Sequence, residues 1–437
     1  MLPRRPNLPL NLARILSGER SAIRFTAAIG MLTFAAAAGF GLMTAWPSPD
    51  TPSFLASVGL GSLRLPTYGW LLRRLPSDGV VMPVMQWSAF VAASCGLVGA
   101  IRRFGASWAA GAAVGLALVW SNLLLLWGNA LLPEAFGHAA LLFALAMTFD
   151  LTRRGPGVAS VAAVAAAVTA AWALRSSLLP FVVIVPLLPV LLMPRRRRLA
   201  LWLAAACLAP ALVLSTIRLA RLGDFNVMSS GGFQMSGMAA LMLTPEIADR
   251  MPPEDAGLAR DVLARRAGLE AAGAAIAIPV NSTGKRSFIS VAIFYFDVLA
   301  RTHDPVLWDA IAPQQRPDED WPAFNRRLQR FAIAVVRNAP VSYAAWILGA
   351  SSRLIGHALV LNPSFLAAAA ALLLLARRKA PGGAPADRRV LIVLVGAYTV
   401  GTGVLTVLIT YPASRYVDSA AMLLAALPFY GVLRRLG

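Results

Sequence analysis

The sequence predicts an all-α polytopic membrane protein with about ten transmembrane helices and interfacial helices in two external loops. Three observations carry that expectation. Hydrophobic residues make up 58% of the 437 positions and charged residues 14%, whereas soluble domains run nearer about half apolar and about a quarter charged. The apolar residues fall in blocks of roughly 17–23, enough helix to cross about 30 Å of hydrocarbon, and a helix satisfies its own backbone where lipid offers no partners. The 40 basic residues, which give a formal charge of +20, sit in short runs between those blocks. That placement fits topology signals better than a single nucleic-acid-binding face.

Taken in order, the spans fall near 25–46, 82–101, 106–128, 134–151, 157–174, 177–194, 199–217, 358–376, 390–411 and 417–433. With the N-terminus inside, the cytoplasmic stretches hold half of the basic residues, among them Arg102, Arg103, Arg153, Arg154 and the run Arg195 to Arg198. They hold Glu19, Asp150 and Asp387 as their acids. Every short cytoplasmic connection is then basic, and both termini face the cytoplasm. Residues 1–24 form a basic cytoplasmic segment that leads into a full-length span. With no small-residue cleavage site, they read as the flank of an anchor and not as a removed signal.

The remaining organisation is a transmembrane module at 25–217 with a first external loop at 47–81, an external region at 218–357, and C-terminal transmembrane helices at 358–437. Amphipathic patterns near 254–276 and 321–338 predict helices in the external region. Residues 339–357 are apolar enough to cross, but adding that span alone would place Arg377, Arg378 and Lys379 outside. With Ser351, Ser352, Arg353 and His357 in it, the stretch reads as a surface-lying helix. Cys95 and Cys207 lie inside apolar segments and support neither a disulfide framework nor a CxxC metal site.

The candidate chemistry lies at the outer ends of the spans. After the first span comes Trp46-Pro-Ser-Pro-Asp50-Thr-Pro-Ser-Phe54, then Arg64-Leu-Pro-Thr-Tyr68-Gly-Trp70, then a helix with Gln86 near its start. Later come Asn129-Ala-Leu-Leu-Pro-Glu134, Trp172-Ala-Leu-Arg175, Asn338-Ala-Pro-Val-Ser-Tyr343 and Tyr411-Pro-Ala-Ser-Arg415-Tyr416. Under the threading Asp50, Arg64, Glu134, Arg175, Arg353 and Arg415 all fall outside, where they can converge on one cavity. Charge at such depth invites a functional explanation. Plainer readings stand beside it. Asp50 suits a turn after prolines, Glu134 suits a helix N-terminus, Arg175 and Arg415 can snorkel, and Tyr68, Trp70 and Trp127 suit interfacial anchors.

In this order the residues resemble the multi-spanning, lipid-sugar-dependent glycosyltransferases known as GT-C, especially their bacterial protein-mannosyltransferase-like and aminoarabinose-transferase-like branch. Asp50, Phe54, Arg64, Pro66, Tyr68 and Gln86 occupy the places of that family's first-loop pattern. Phe54 stands where Tyr is usual, and Gly69 where Pro is usual. The resemblance covers most of the chain through motifs of one to three residues each. It implies a sugar donor carried on a polyprenyl phosphate and an acceptor hydroxyl on a glycan, lipid or protein. Asp50 would act as general base. Arg415, Arg175 and Arg64 would grip the departing phosphate through paired N–H donors, at a point where developing charge is best stabilised. Glu134, Tyr68 and Tyr416 would support them. One base and direct displacement would invert the anomeric centre, while a second, nucleophilic carboxylate would retain it. The location implied is the bacterial inner membrane. Membrane lipids are the expected surroundings, and nucleic acid is not an expected partner.

No cofactor is called for, and the sequence lends no support to a divalent metal. Asp318-Glu-Asp320 reads as a solvated acidic turn, and Asn281-Ser-Thr-Gly-Lys-Arg-Ser287 lacks the first glycine of a phosphate loop. Ser230-Gly-Gly-Phe-Gln-Met-Ser-Gly237 reads as a turn, with a flexible loop over the cavity as the alternative. His138, His303 and His357 are scattered and form no triad. A lipid or solute transporter remains the chief rival, although coupled transport favours ionisable groups near the midplane. A non-catalytic membrane assembly protein is the third reading.

Overall fold

The computed structural model describes residues 20–40, 43–47, 50–75, 79–273, 303, 305–360, 362–376, 385–409 and 414–436, without the side chains of 405, 409, 414 and 415. The described residues are overwhelmingly helical, and the one β contact among them is an isolated bridge between Trp46 and Ala130. Seven helices are long and apolar enough to cross a membrane, or eight if a bent pair counts as one.

The chain opens with α1 (Ser21–Gly39), followed by two short helices, α2 (Thr51–Leu55) and α3 (Pro66–Arg74). Next come α4 (Val81–Arg103), α5 (Trp108–Val119), α6 (Asn122–Trp127), α7 (Glu134–Arg154), α8 (Val158–Leu174), α9 (Phe181–Leu192) and α10 (Arg197–Leu222). Helix α1 ends seven residues before the expected limit of the first span. The reason is pairing: Trp46 donates its N–H to the Asn129 carbonyl at 3.2 Å and accepts from the Leu131 N–H at 3.0 Å. These bonds satisfy backbone groups that would otherwise need helix. The expected span 106–128 is matched by one candidate span, Trp108–Trp127, with a break inside it where the Ser121 hydroxyl accepts from the Leu124 N–H and starts α6 afresh.

Helices α4 and α7 pack side by side at the centre of the bundle. Gln86 near the start of α4 donates to the Ala130 carbonyl at 3.0 Å, just before α7 begins. At the other end Arg103 grips Asp150 through two bonds of 2.9 and 2.6 Å. The two helices therefore run parallel. Outlying helices keep apolar surface on the outside, such as Leu201, Trp202, Leu212 and Val213 on α10. Only 17% of the apolar window over Pro194–Leu222 is buried inside the protein, against 72% for α7. Apolar residues on both sides of such a helix fit lipid contact, since a water-facing side would be polar.

A second core lies between α10 and the C-terminal helices. It comprises α11 (Gly231–Met242), α12 (Pro245–Asp249), α13 (Pro253–Ala271), a π-helical turn at Val306–Ile311 and α14 (Trp321–Asn338). Both amphipathic patterns seen in the sequence are helices, α13 and α14. The stretch 230–237 is no turn: it begins α11, which packs tightly on α14. A Cβ at Gly232 would stand 2.0 Å from the Asn325 carbonyl oxygen, so glycine is what lets the two helices touch there. The acidic turn 318–320 is not simply solvated, because Glu319 is bound by Arg327 at 2.5 Å and Asp320 caps α14 by accepting from the Ala323 N–H. The Glu319 carboxyl titrates below its ordinary range, chiefly through the Arg327 hydrogen bond. Residues 281–287 lie outside the described residues.

Helix α15 (Pro340–Val360) leaves α14 at an angle of 102°. Proline at position 340 has no N–H with which to continue the preceding helix. The stretch 339–357 thus belongs, from Pro340 on, to a helix that follows α14 across a sharp bend. The chain closes with α16 (Pro363–Leu374), α17 (Pro385–Ile409), α18 (Ser414–Ala421) and α19 (Ala426–Leu436). Asn362 caps α16 by accepting from the Phe365 N–H at 3.1 Å, and the helix starts there, not at the expected 358.

Candidate functional site

One end of the bundle gathers the connection between α1 and α4, the start of α7, the end of α8 and the start of α18. Asp50 precedes α2, and Pro52 in the first turn fixes the entry geometry. Arg64 reaches back over that turn. Its Nη2 donates to Asp50 Oδ1 at 2.7 Å and its Nε to Ser53 Oγ at 2.7 Å. The guanidinium carbon lies 4.4 Å from the centre of the Phe54 ring, a cation–π distance. Phe54 in turn meets Tyr68 edge-on, with ring centres 5.2 Å apart. Thr51 donates its hydroxyl to the Leu131 carbonyl at 3.1 Å, which ties this connection to the segment entering α7.

Pro133 and Glu134 begin α7, so Glu134 occupies a helix N-terminus as the plain reading requires. Its role goes further, because its carboxylate is paired with Arg175, which follows the last residue of α8 in extended conformation. Both side chains are nearly inaccessible, at 2% for Glu134 and 6% for Arg175. Arg175 is therefore not snorkelling to a boundary. Gly137, one turn into α7, makes room for it, as a Cβ there would stand 3.0 Å from the Arg175 Cβ. The Arg175 guanidinium carbon lies 5.4 Å from the Tyr416 ring centre.

Several buried polar atoms around this pair have no hydrogen-bond partner: Glu134 Oε2, Arg175 Nε and Nη2, and the Tyr68 hydroxyl. Buried polar groups are nearly always paired in folded proteins, so these atoms have capacity left for a polar guest. The Tyr68 hydroxyl titrates well above its ordinary range, first because it is buried and second because the Glu134 charge is near. One turn beyond Glu134, the fully buried His138 meets the Tyr398 hydroxyl of α17 through Nδ1.

Arg64, Glu134, Arg175 and Tyr416 line a single small cavity of about 50 Å³, together with Phe54, Ser176 and Ser177. It adjoins a second cavity of about 260 Å³, and Arg64, Ser176, Ser177, Met228 and Tyr416 line both. Four of the residues singled out from sequence thus share one wall. Asp50 does not line either cavity and reaches the site through Arg64. Tyr68 lies behind Phe54. Arg353, on α15, lines neither cavity. Arg415 belongs to α18, and its side chain lies outside the described residues.

Chemically, the site offers two guanidinium groups, each already holding a carboxylate. Arg175 still has two unpaired N–H positions, so an oxyanion can bind it without displacing Glu134. Sequence reasoning missed the polar lining of the larger cavity, which includes Asn226, Gln234, Asn325 and Gln329. Their signal was weak, amounting to single amides on otherwise ordinary helices and loops. It also missed Asp418, which accepts from Trp127 at 2.9 Å and Asn122 at 3.0 Å. The indole of Trp127 is thereby held by a buried acid. No protein-family model, curated protein or solved structure matches the chain.

Proposed function

We propose that this chain is a glycosyltransferase of the bacterial cytoplasmic membrane that crosses it ten times with both termini inside. In this reading α8, α9 and α16 complete the seven longer spans, and the site faces outward. The enzyme transfers a sugar from a polyprenyl-phosphate donor to an acceptor hydroxyl. The observation that carries the reading is the convergence of Arg64, Glu134, Arg175 and Tyr416 on one cavity at an end of an apolar helical bundle.

The roles in this reading are as follows. The donor phosphate binds the open N–H positions of Arg175, with Arg64 and Arg415 as further cations. Phosphate bound at Arg64 competes for the guanidinium that holds Asp50, and so loosens that carboxylate for catalysis. Asp50 then removes the acceptor hydroxyl proton. The acceptor oxygen bonds to the anomeric carbon as the bond to the phosphate oxygen breaks, with inversion, and polyprenyl phosphate leaves as an anion stabilised by the arginines. Glu134 fixes Arg175, Tyr416 supplies a hydroxyl at the margin, and Tyr68 supports the Phe54 ring from behind.

The test uses membranes containing the full chain and radiolabelled polyprenyl-phosphate mannose, glucose and arabinose. The expected result is transfer of label from one donor to an envelope acceptor. Asp50→Asn should cut turnover by roughly 10²–10⁴, the range for a lost general base, while donor photo-crosslinking persists. Failure to consume any donor, or full activity in Asp50→Asn, would overturn the assignment.

A further inference from the structure

We infer that the larger cavity is a binding site for an uncharged carbohydrate, one or two sugar residues long, and that this neutral glycan is the acceptor. The inference rests on the transferase reading only for the word acceptor. The site itself is argued from its lining.

The cavity measures about 260 Å³ and lies between α11, α14, the 226–230 segment and the π-helical turn. That is just below the usual range of ligand sites, about 300–1,000 Å³. It suits a sugar ring better than a folded peptide. Four amide side chains line it, Asn226, Gln234, Asn325 and Gln329. An amide carries both donor and acceptor atoms, the combination that adjacent hydroxyl groups need. Asn226 and Asn325 are oriented by bonds to described residues. Asn226 Nδ2 donates to Asp224 Oδ1 at 2.6 Å, and Asn325 Oδ1 accepts from the Phe233 N–H at 3.1 Å. The opposite end of each amide then presents a defined polarity, Asn226 as acceptor and Asn325 as donor.

An aromatic face completes the lining. Trp308 is half exposed and is braced by Phe233, with ring centres 5.2 Å apart. Indole offers a broad apolar plane with a polar edge, which matches the C–H face of a sugar ring. Charge decides against other occupants. Among the described lining residues the one charged group is Arg64, and it is already bonded to Asp50. Among the described lining residues a cationic peptide or amino sugar finds no carboxylate, and a multiply phosphorylated saccharide finds Arg64 alone. Polar sites reject analogues that leave their groups unpaired far more strongly than apolar sites do. Arg64, Ser176, Ser177 and Tyr416 line both cavities, so a hydroxyl of the bound glycan arrives beside the proposed reaction centre.

The experiment is saturation-transfer NMR on the detergent-solubilised full chain, with no donor present. Mannotriose, arabinotriose and maltotriose serve as neutral probes, trigalacturonate as the acidic probe and the glucosamine trimer as the cationic probe. At least one neutral trisaccharide should give saturation transfer, strongest on the protons of one ring face, and the charged probes none. Trp308→Ala and Gln329→Leu should each weaken the signal at least fivefold at an unchanged melting midpoint. If Trp308→Ala does not fold, the volume-conserving Gln329→Leu decides. Absence of signal from all neutral probes, preference for a charged probe, or wild-type binding by folded Gln329→Leu would overturn the inference. Neutral binding without transfer from any polyprenyl donor would remove the enzyme and leave the glycan site standing.

Discussion

Gly69 of α3 touches the backbone of Phe54 in α2. A Cβ at position 69 would stand 2.1 Å from the Phe54 carbonyl oxygen, closer than any real side chain could sit. At this point α3 lies directly on α2. Gly69→Ala should therefore destabilise the protein by about 1–3 kcal/mol, the usual cost of overpacking. Gly69→Pro should cost more, since it adds atoms and removes an N–H within α3. Thermal melting of the detergent-purified variants measures both, and a wild-type midpoint for Gly69→Ala would refute the close approach.

The Glu134–Arg175 pair predicts an asymmetric double-mutant cycle. Removing either partner leaves a buried charge without its counterpart, which costs about 3–5 kcal/mol. Replacing both with apolar residues of similar size, as in Glu134→Leu with Arg175→Met, should recover most of that loss. Donor binding should stay lost in the double variant. Denaturant melts and donor crosslinking read the two effects separately.

Asp224 predicts an acid limb in the stability profile. Its burial would raise the carboxyl, but hydrogen bonds from Ser229, Asn226 and Arg218 outweigh that and hold it below the ordinary 3.8. A carboxyl lowered on folding stabilises the fold fully above its unfolded value. That contribution fades as pH falls toward the lower folded value. Melting midpoints between about pH 6 and about pH 3 should thus decline less steeply at the acid end in Asp224→Asn than in wild type. Parallel curves would refute the assignment.

Arg64→Lys tests the link between Asp50 and the cavity. Lysine keeps the charge but loses the planar fork that bonds Asp50 and Ser53 together. Under the proposed mechanism kcat should fall at least tenfold and the donor KM should rise. Unchanged kinetics would show that Arg64 is ornamental to the reaction.

Much of the architecture was legible because its causes are local. The helices α4, α7 and α17 announce themselves as apolar runs, and α13 and α14 as two-sided patterns. What stayed hidden came from tertiary contact. The early end of α1 depends on Trp46 finding Asn129 and Leu131, far along the chain. The helix at 231–242 looked like a turn because its glycines serve packing on α14 and not chain reversal. In the site, Arg64, Glu134, Arg175 and Tyr416 could be picked out as charges or rings at helix ends. Their convergence is a property of the assembled bundle. So is the pairing of Asp50 with Arg64, which no spacing rule would have supplied.

The corner between α14 and α15 carries a mechanical implication. Two rods joined at 102° cannot both stand upright in the same layer. If α15 stands, α14 lies down, and Asn325 and Gln329 ride on the recumbent arm.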